Sequence, residues 1–202
     1  MNKVGFQEVF DIENSNLIYS NINYNEYYKN EKINEIKCLT FDDCIFEQCV
    51  FTLNITNTVF TNCKFINCDF SNIDINNSGF HFVSILDSKL VGVSFIDSTI
   101  KNSIIKNNLS NMISYIDMNL NNVILEDNSM INSIIQNNKF KKIELINNKM
   151  NNIEIINTSL KNIDLSTNDI SGIRININDI RECIIETDQI YDLINLLQIR
   201  IK

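Results

Sequence analysis

The stretch Thr58–Asn77 reads TVFTN CKFIN CDFSN IDINN, four blocks of five residues built on one rule. The third residue of each block is large and apolar (Phe60, Phe65, Phe70, Ile75) and the fifth is Asn (Asn62, Asn67, Asn72, Asn77). Outward from this stretch the rule continues. From Ile55 to Ile190 the apolar position recurs at every fifth residue, and twenty-seven of its twenty-eight occurrences are apolar, Ser110 being the exception. A helix repeats every 3.6 residues and a strand every two, so neither produces a period of five. Repetition at a fixed period over most of a chain marks a stacked, quasi-one-dimensional architecture.

The position two residues after each apolar centre carries the second half of the rule. Of the twenty-five such sites from Asn57 to Ile177, fourteen are Asn, four are Asp and two are Gly. These residue types tolerate the left-handed backbone region that tight turns use, so the chain is expected to turn sharply every five residues. Two residues before each centre stand small or β-branched side chains such as Cys63, Cys68, Ile73, Ser78 and Val83.

Units such as Cys68-Asp69-Phe70-Ser71-Asn72 and Ile163-Asp164-Leu165-Ser166-Thr167 resemble the A-[DN]-L-x-x unit of the pentapeptide repeat family, over roughly residues 36–185. The resemblance implies an all-β fold, a right-handed quadrilateral β-helix in which four units make one square coil. Central and minus-two side chains then point inward. The expected organisation is an N-terminal cap over residues 1–35, the β-helix over 36–186, and a short C-terminal helix and tail over 187–202. About 7.5 coils at ~4.8 Å each give a rod of roughly 36 Å.

Coils of twenty residues place side chains twenty apart in columns. One minus-two column reads Val83, Ser103, Val123, Ile143, Ile163, and another Ile73, Val93, Ile113, Ser133, Ile153, Ile173. The other two are polar: Cys68, Ser88, Asn108, Asn128, Asn148, Asn168, and Ser78, Ser98, Met118, Asn138, Thr158, Asn178. A buried unpaired amide costs about 1–3 kcal/mol, so a coil-to-coil ladder of Asn hydrogen bonds is expected. Ser110 falls between Leu90 and Met130, where a flexible Met can fill the space a small residue leaves. Upstream of residue 55 the phase shifts by one, which pairs Cys44 with Cys63, Cys49 with Cys68, Phe41 with Phe60, Phe46 with Phe65 and Phe51 with Phe70.

Composition narrows the function. A formal charge of -8 over 202 residues argues against general nucleic-acid binding, which needs clustered cations. No long apolar run predicts a membrane span, and the N-terminus has no charged-then-apolar leader layout, so a cytoplasmic protein is expected. The one histidine, His81, follows a centre and is expected to face solvent. With no Gly-rich phosphate loop, no catalytic residue, cofactor or metal site is expected. Cys44, Cys49, Cys63 and Cys68 superficially suggest a four-thiolate zinc site, but adjacent units lie on different faces, so buried reduced thiols are the expectation.

Two binding readings remain open. The C-terminal Ile190, Leu193, Ile194 and Leu197 have helical spacing, with Asp188 placed to cap them, and Gln198–Ile201 reads as a terminal strand. That ending resembles the Qnr-type quinolone-resistance members of the family. It implies an end-to-end homodimer through Leu196, Ile199 and Ile201, and a rod that imitates duplex DNA toward DNA gyrase or topoisomerase IV. Asp97 and Asp117 on one corner, with Asp87 and Asp127 on the opposite one, are the candidate acidic sites; Lys139, Lys141, Lys142 and Lys149 interrupt the negative charge. The alternative is a generic protein-binding scaffold, using the outward column Ile96, Ile116, Ile156.

Overall fold

The computed structural model, described for residues 21–34 and 36–194, is a parallel β-solenoid of about eight turns. Each strand pairs with its counterpart one coil away. On the Phe60 face, Phe60 registers with Phe80 and Ile100 with Leu120; on the Phe65 face, Phe65 registers with Ile85. The Ile75 face carries an eight-stranded sheet, with Ile75 against Phe95 and Phe95 against Tyr115. The Phe70 face is held largely by isolated bridges that run Val50, Asp69, Lys89, Leu109, Ser129, Lys149, Asp169.

The corners follow the turn rule more strictly than the residue types do. Between positions 57 and 177, twenty-three of the twenty-five turn residues have positive φ, the exceptions being Thr167 and Ile177. Phe82 (φ 57°), Met112 (58°) and Lys142 (53°) obey it with side chains ill suited to that region. Gly92 is needed on two counts, its φ of 67° and the Asn72 Oδ1 that would sit 2.6 Å from any β-carbon there. Most corner N–H groups donate to a carbonyl of the next coil, as in Asn107 N to Glu126 O (3.0 Å), while Asn147 N donates to Thr167 Oγ1 (3.1 Å), so the turns are bonded into the stack.

The coils also start earlier than the sequence rule reaches. Asn21–Tyr24, Tyr27–Lys29 and Lys32–Ile33 pair in parallel with Leu39–Asp42, Ile45–Glu47 and Val50–Phe51, so residues 21–33, within the expected N-terminal cap, are already coiled. The register there departs from the five-residue rule. Tyr28 meets Phe46, an offset of 18, and Ile33 meets Phe51 at the same offset. Phe46 meets Phe65 at 19, and from Ile55 onward the offset is 20. The chain shortens one corner twice, first between Ile33 and Ile36 and then between Phe51 and Ile55.

Two kinds of core fill the rod. Toward the N-terminus rings stack coil on coil: Tyr28, Phe46 and Phe65 at centroid spacings of 4.7 and 4.8 Å, and Phe41, Phe60 and Phe80 at 5.1 and 5.0 Å. Further on, the Asn column is a ladder. Asn128 Nδ2 reaches Asn148 Oδ1 (3.1 Å) and Ile105 O (2.8 Å), while the Asn128 N–H also donates to Asn148 Oδ1 (3.0 Å). Asn108 and Asn148 repeat the scheme, and of these donor bonds Asn168 keeps only that of its Nδ2 to Leu145 O (2.8 Å). Ser110 is buried in line with Leu90 and Met130.

The C-terminal end differs from expectation in three respects. A 3-10 turn, Thr187–Gln189, precedes the helix Ile190–Leu193, and its cap is Glu186, in a reciprocal box with Gln189, rather than Asp188. Ile190 is 48% exposed, because the added turn rotates it off the last coil; Leu193 packs there instead. Gln189 closes the ladder. Asp188 occupies the next step of the Asn column, and a carboxylate has no N–H to give. Gln189, one residue later and one carbon longer, donates to Leu165 O (3.0 Å) and Asn168 O (2.6 Å).

Candidate interaction surfaces

Inward positions are consumed by packing, so binding chemistry rests on what points outward. Asp97 and Asp117 stand on consecutive coils at the corner after the Ile75 face, their N–H groups bonded to Ile116 O and Gln136 O (3.1 and 3.0 Å). Among the described residues neither carboxylate has an ion-pair partner. At one coil per ~4.8 Å the two charges lie side by side in solvent.

Asp87 and Asp127 sit on the diagonal corner, after the Phe65 face, and are differently placed. Asp87 accepts from Asn107 Nδ2 of the coil between them. Asp127 lies 3.7 Å from Lys106 Nζ, which also bonds Glu126 Oε1 at 2.7 Å. The four acids therefore form two separate columns, one open and one partly compensated. The signal for this pairing was in the numbering: Lys106 precedes Glu126 by one coil of twenty.

Ile96, Ile116, Gln136 and Ile156 are in register on the Ile75 face, beside the Asp97–Asp117 corner. Leu196, Ile199 and Ile201 lie outside the described residues. No helix among the described residues is long and apolar enough to cross a membrane.

The thiols form two columns. Cys44 and Cys63 share the Phe65 face, where Cys44 Sγ meets Asp42 O (3.3 Å) and Cys63 Sγ meets Thr61 O (3.2 Å). Cys49 and Cys68 share the next face and bond carbonyls in the same way. The neighbouring thiol and burial push Cys63 and Cys68 well above the usual thiol range, so both are protonated hydrogen-bond donors to backbone oxygen. His81 is only partly exposed. Burial, and then the positive charge of Lys101, hold its imidazole below the ordinary value.

Residues 58–135 match the family model described as pentapeptide repeat region. No curated protein matches the chain in sequence. Among solved structures, a trypsin-treated form of QnrB1, a plasmid-mediated fluoroquinolone resistance protein, is similar with a TM-score of 0.52 and 16% identity, over 90% of this chain and 100% of that one. HetL, a pentapeptide repeat protein involved in heterocyst differentiation regulation from the cyanobacterium Nostoc, is similar at a TM-score of 0.38 and 9% identity, over 80% and 86% of the two chains.

Proposed function

We propose that the chain, whose residues 58–135 match the pentapeptide repeat model, is a pentapeptide repeat protein and a non-enzymatic binding protein that offers an acidic corner to the DNA-binding surface of DNA gyrase or topoisomerase IV. The observation that carries this reading is the Asp97–Asp117 column, two uncompensated carboxylates repeated at the coil spacing on a rigid rod. Regular negative charge along a straight edge is what a duplex presents to a basic saddle. The likeness to a fluoroquinolone resistance protein favours the same class of target. Asp87 and Asp127 add to the field from the opposite corner.

The test is a supercoiling assay with purified gyrase, with and without the protein. Inhibition, or protection from a quinolone, that weakens in the Asp97→Lys/Asp117→Lys variant supports the proposal. No effect at large molar excess over several gyrases removes it. A second reading, a protein-binding scaffold, is favoured by the in-register Ile96, Ile116 and Ile156 beside the same corner. It is then expected to survive reversal of the aspartates and fail on Ile116→Asp. Pairing of two chains through Leu196, Ile199 and Ile201 is part of the same proposal. A parent protein that sediments as a monomer at micromolar concentrations, or a Leu196→Asp/Ile199→Asp variant that stays dimeric, rules it out.

A further inference from the structure

We propose that the corner between the Phe60 and Phe65 faces, centred on Phe82, is a docking site for an acidic protein segment that carries an apolar anchor. This surface is distinct from the aspartate corners and opposite to them in charge.

Phe82 is unfavourable where it stands on two independent counts. Its φ of 57° lies in the left-handed region, which a bulky side chain enters at a cost that Asn or Gly avoids. The coils on either side place Asn62 and Asn102 at this position. Its ring is also 57% exposed, so the backbone cost is not offset by burial. Beside it a shallow depression of about 270 Å³ is lined by Ile104 and Ile124, which are in register on neighbouring coils, and by Asn102, Ser103 and Asn122. An exposed aromatic next to two half-buried isoleucines is the composition of an interface centre.

The charge around the depression identifies the partner. Lys101 and Lys141 lie in one outward column of the Phe60 face, separated by Asn121, and Lys142 shares the corner column with Phe82. Lys139 flanks them on the same strand as Lys141. None of these four lysines has an ion-pair partner among the described residues, in a chain whose formal charge is -8. The outward positions of the Phe60 face from Gly79 to Lys141 hold no carboxylate. Beyond the lysines the sign changes again, with Glu144 below Ile124 and Asp97 and Asp117 along the far corner. The positive field is thus short and bordered by acids on two sides. A nucleic-acid duplex would bring phosphates against those acids, whereas a single acidic segment spans the lysines and stops. Its apolar residue fills the depression against Phe82.

The test selects a displayed library of random linear peptides on the immobilised full chain. Enriched peptides are expected to be acidic and to carry an aromatic or branched aliphatic residue. Measured by fluorescence anisotropy, their binding is expected to weaken by more than about tenfold on Phe82→Asn, as for a central anchor, and to fall similarly in Lys141→Glu/Lys142→Asn. The same Phe82→Asn variant is expected to melt above the parent, because Asn suits the backbone and removes an exposed ring. Four results would each overturn the proposal: no enrichment, enriched peptides without acidic bias, binding indifferent to Phe82→Asn, or displacement of the peptides by duplex DNA. A lower melting temperature for Phe82→Asn overturns it too, since Phe82 would then be structural.

Discussion

The first coils and the later ones share a backbone and solve the problem of filling it in opposite ways. Between Tyr28 and Phe80 two faces of the interior are lined mainly by rings and thiols, joined by stacking and weak Sγ to carbonyl contacts. From Asn108 to Asn168 one wall is amide, with Asn128, Asn148 and Asn168 Oδ1 each accepting from both the N–H and the Nδ2 of the coil before it. Apolar burial is non-directional, and offset-stacked rings tolerate sliding; a three-bonded amide does not. The register shows the consequence. The coils of eighteen and nineteen residues lie in the aromatic region, and wherever the Asn ladder runs the repeat is strictly twenty. Directional bonds impose the period that packing alone leaves loose.

The most severe break in this contrast is Phe65→Ala. Phe65 contacts Phe46, Phe51, Phe60 and Phe70, so truncation is expected to cost ~3–5 kcal/mol in chemical denaturation. A cost below that of an ordinary surface change would mean that the aromatic coils collapse around the void and are as slack as their register suggests.

On the other side of the comparison stands Asn148→Leu. It leaves the buried Asn128 N–H and the Leu125 carbonyl without their partners and overfills the wall, for an expected loss of about 2–3 kcal/mol. Should the variant melt at or above the parent temperature, the ladder is not what fixes the period. Gln189→Leu probes the end of the ladder alone. An expected loss of about 1 kcal/mol should appear as faster hydrogen exchange confined to residues 163–189, with the aromatic coils unchanged.

The smallest effect concerns His81, at the seam between the regions. Its pKa is depressed in the fold, so the unfolded chain takes up the proton first as pH falls. Stability is therefore present above about 6.5 and declines as the pH drops below it. Replacing His81 by Thr, the residue at the equivalent position 61, is expected to flatten that slope. An unchanged slope assigns it to other groups.

Most of the fold is legible by sorting residues on their number, because columns of a solenoid are arithmetic. The central rule picks out the core from Ile55 onward, and the minus-two rule anticipates the amide wall. What escapes are places where the arithmetic changes. Tyr28, Ile33 and Ile36 obey spacings of five and three, which look irregular until the shortened corner between them is seen. Gln189 sits one residue off its column and reaches it only through a longer side chain. Phe82 and Met112 fail the turn composition and still turn, since neighbouring coils dictate the backbone there regardless of local preference. Of the candidate acids, the column of Asp97 and Asp117 is readable directly, while the compensation of Asp127 by Lys106 requires pairing residues one coil apart.

A ladder in which every coil lends an acceptor to the one before it is a one-dimensional crystal, and such a crystal needs a way to stop growing. Asn168, at its last full step, has no Asn above it to receive its N–H, which turns back to Leu165 O. Gln189 occupies that vacant step with both ends committed, its Nε2 to Leu165 O and Asn168 O and its Oε1 to the Glu186 N–H. No side-chain amide N–H is left to meet the acceptor of a further layer. The residue works as a chain terminator for this column: a further layer would find no side-chain amide donor there to continue the ladder.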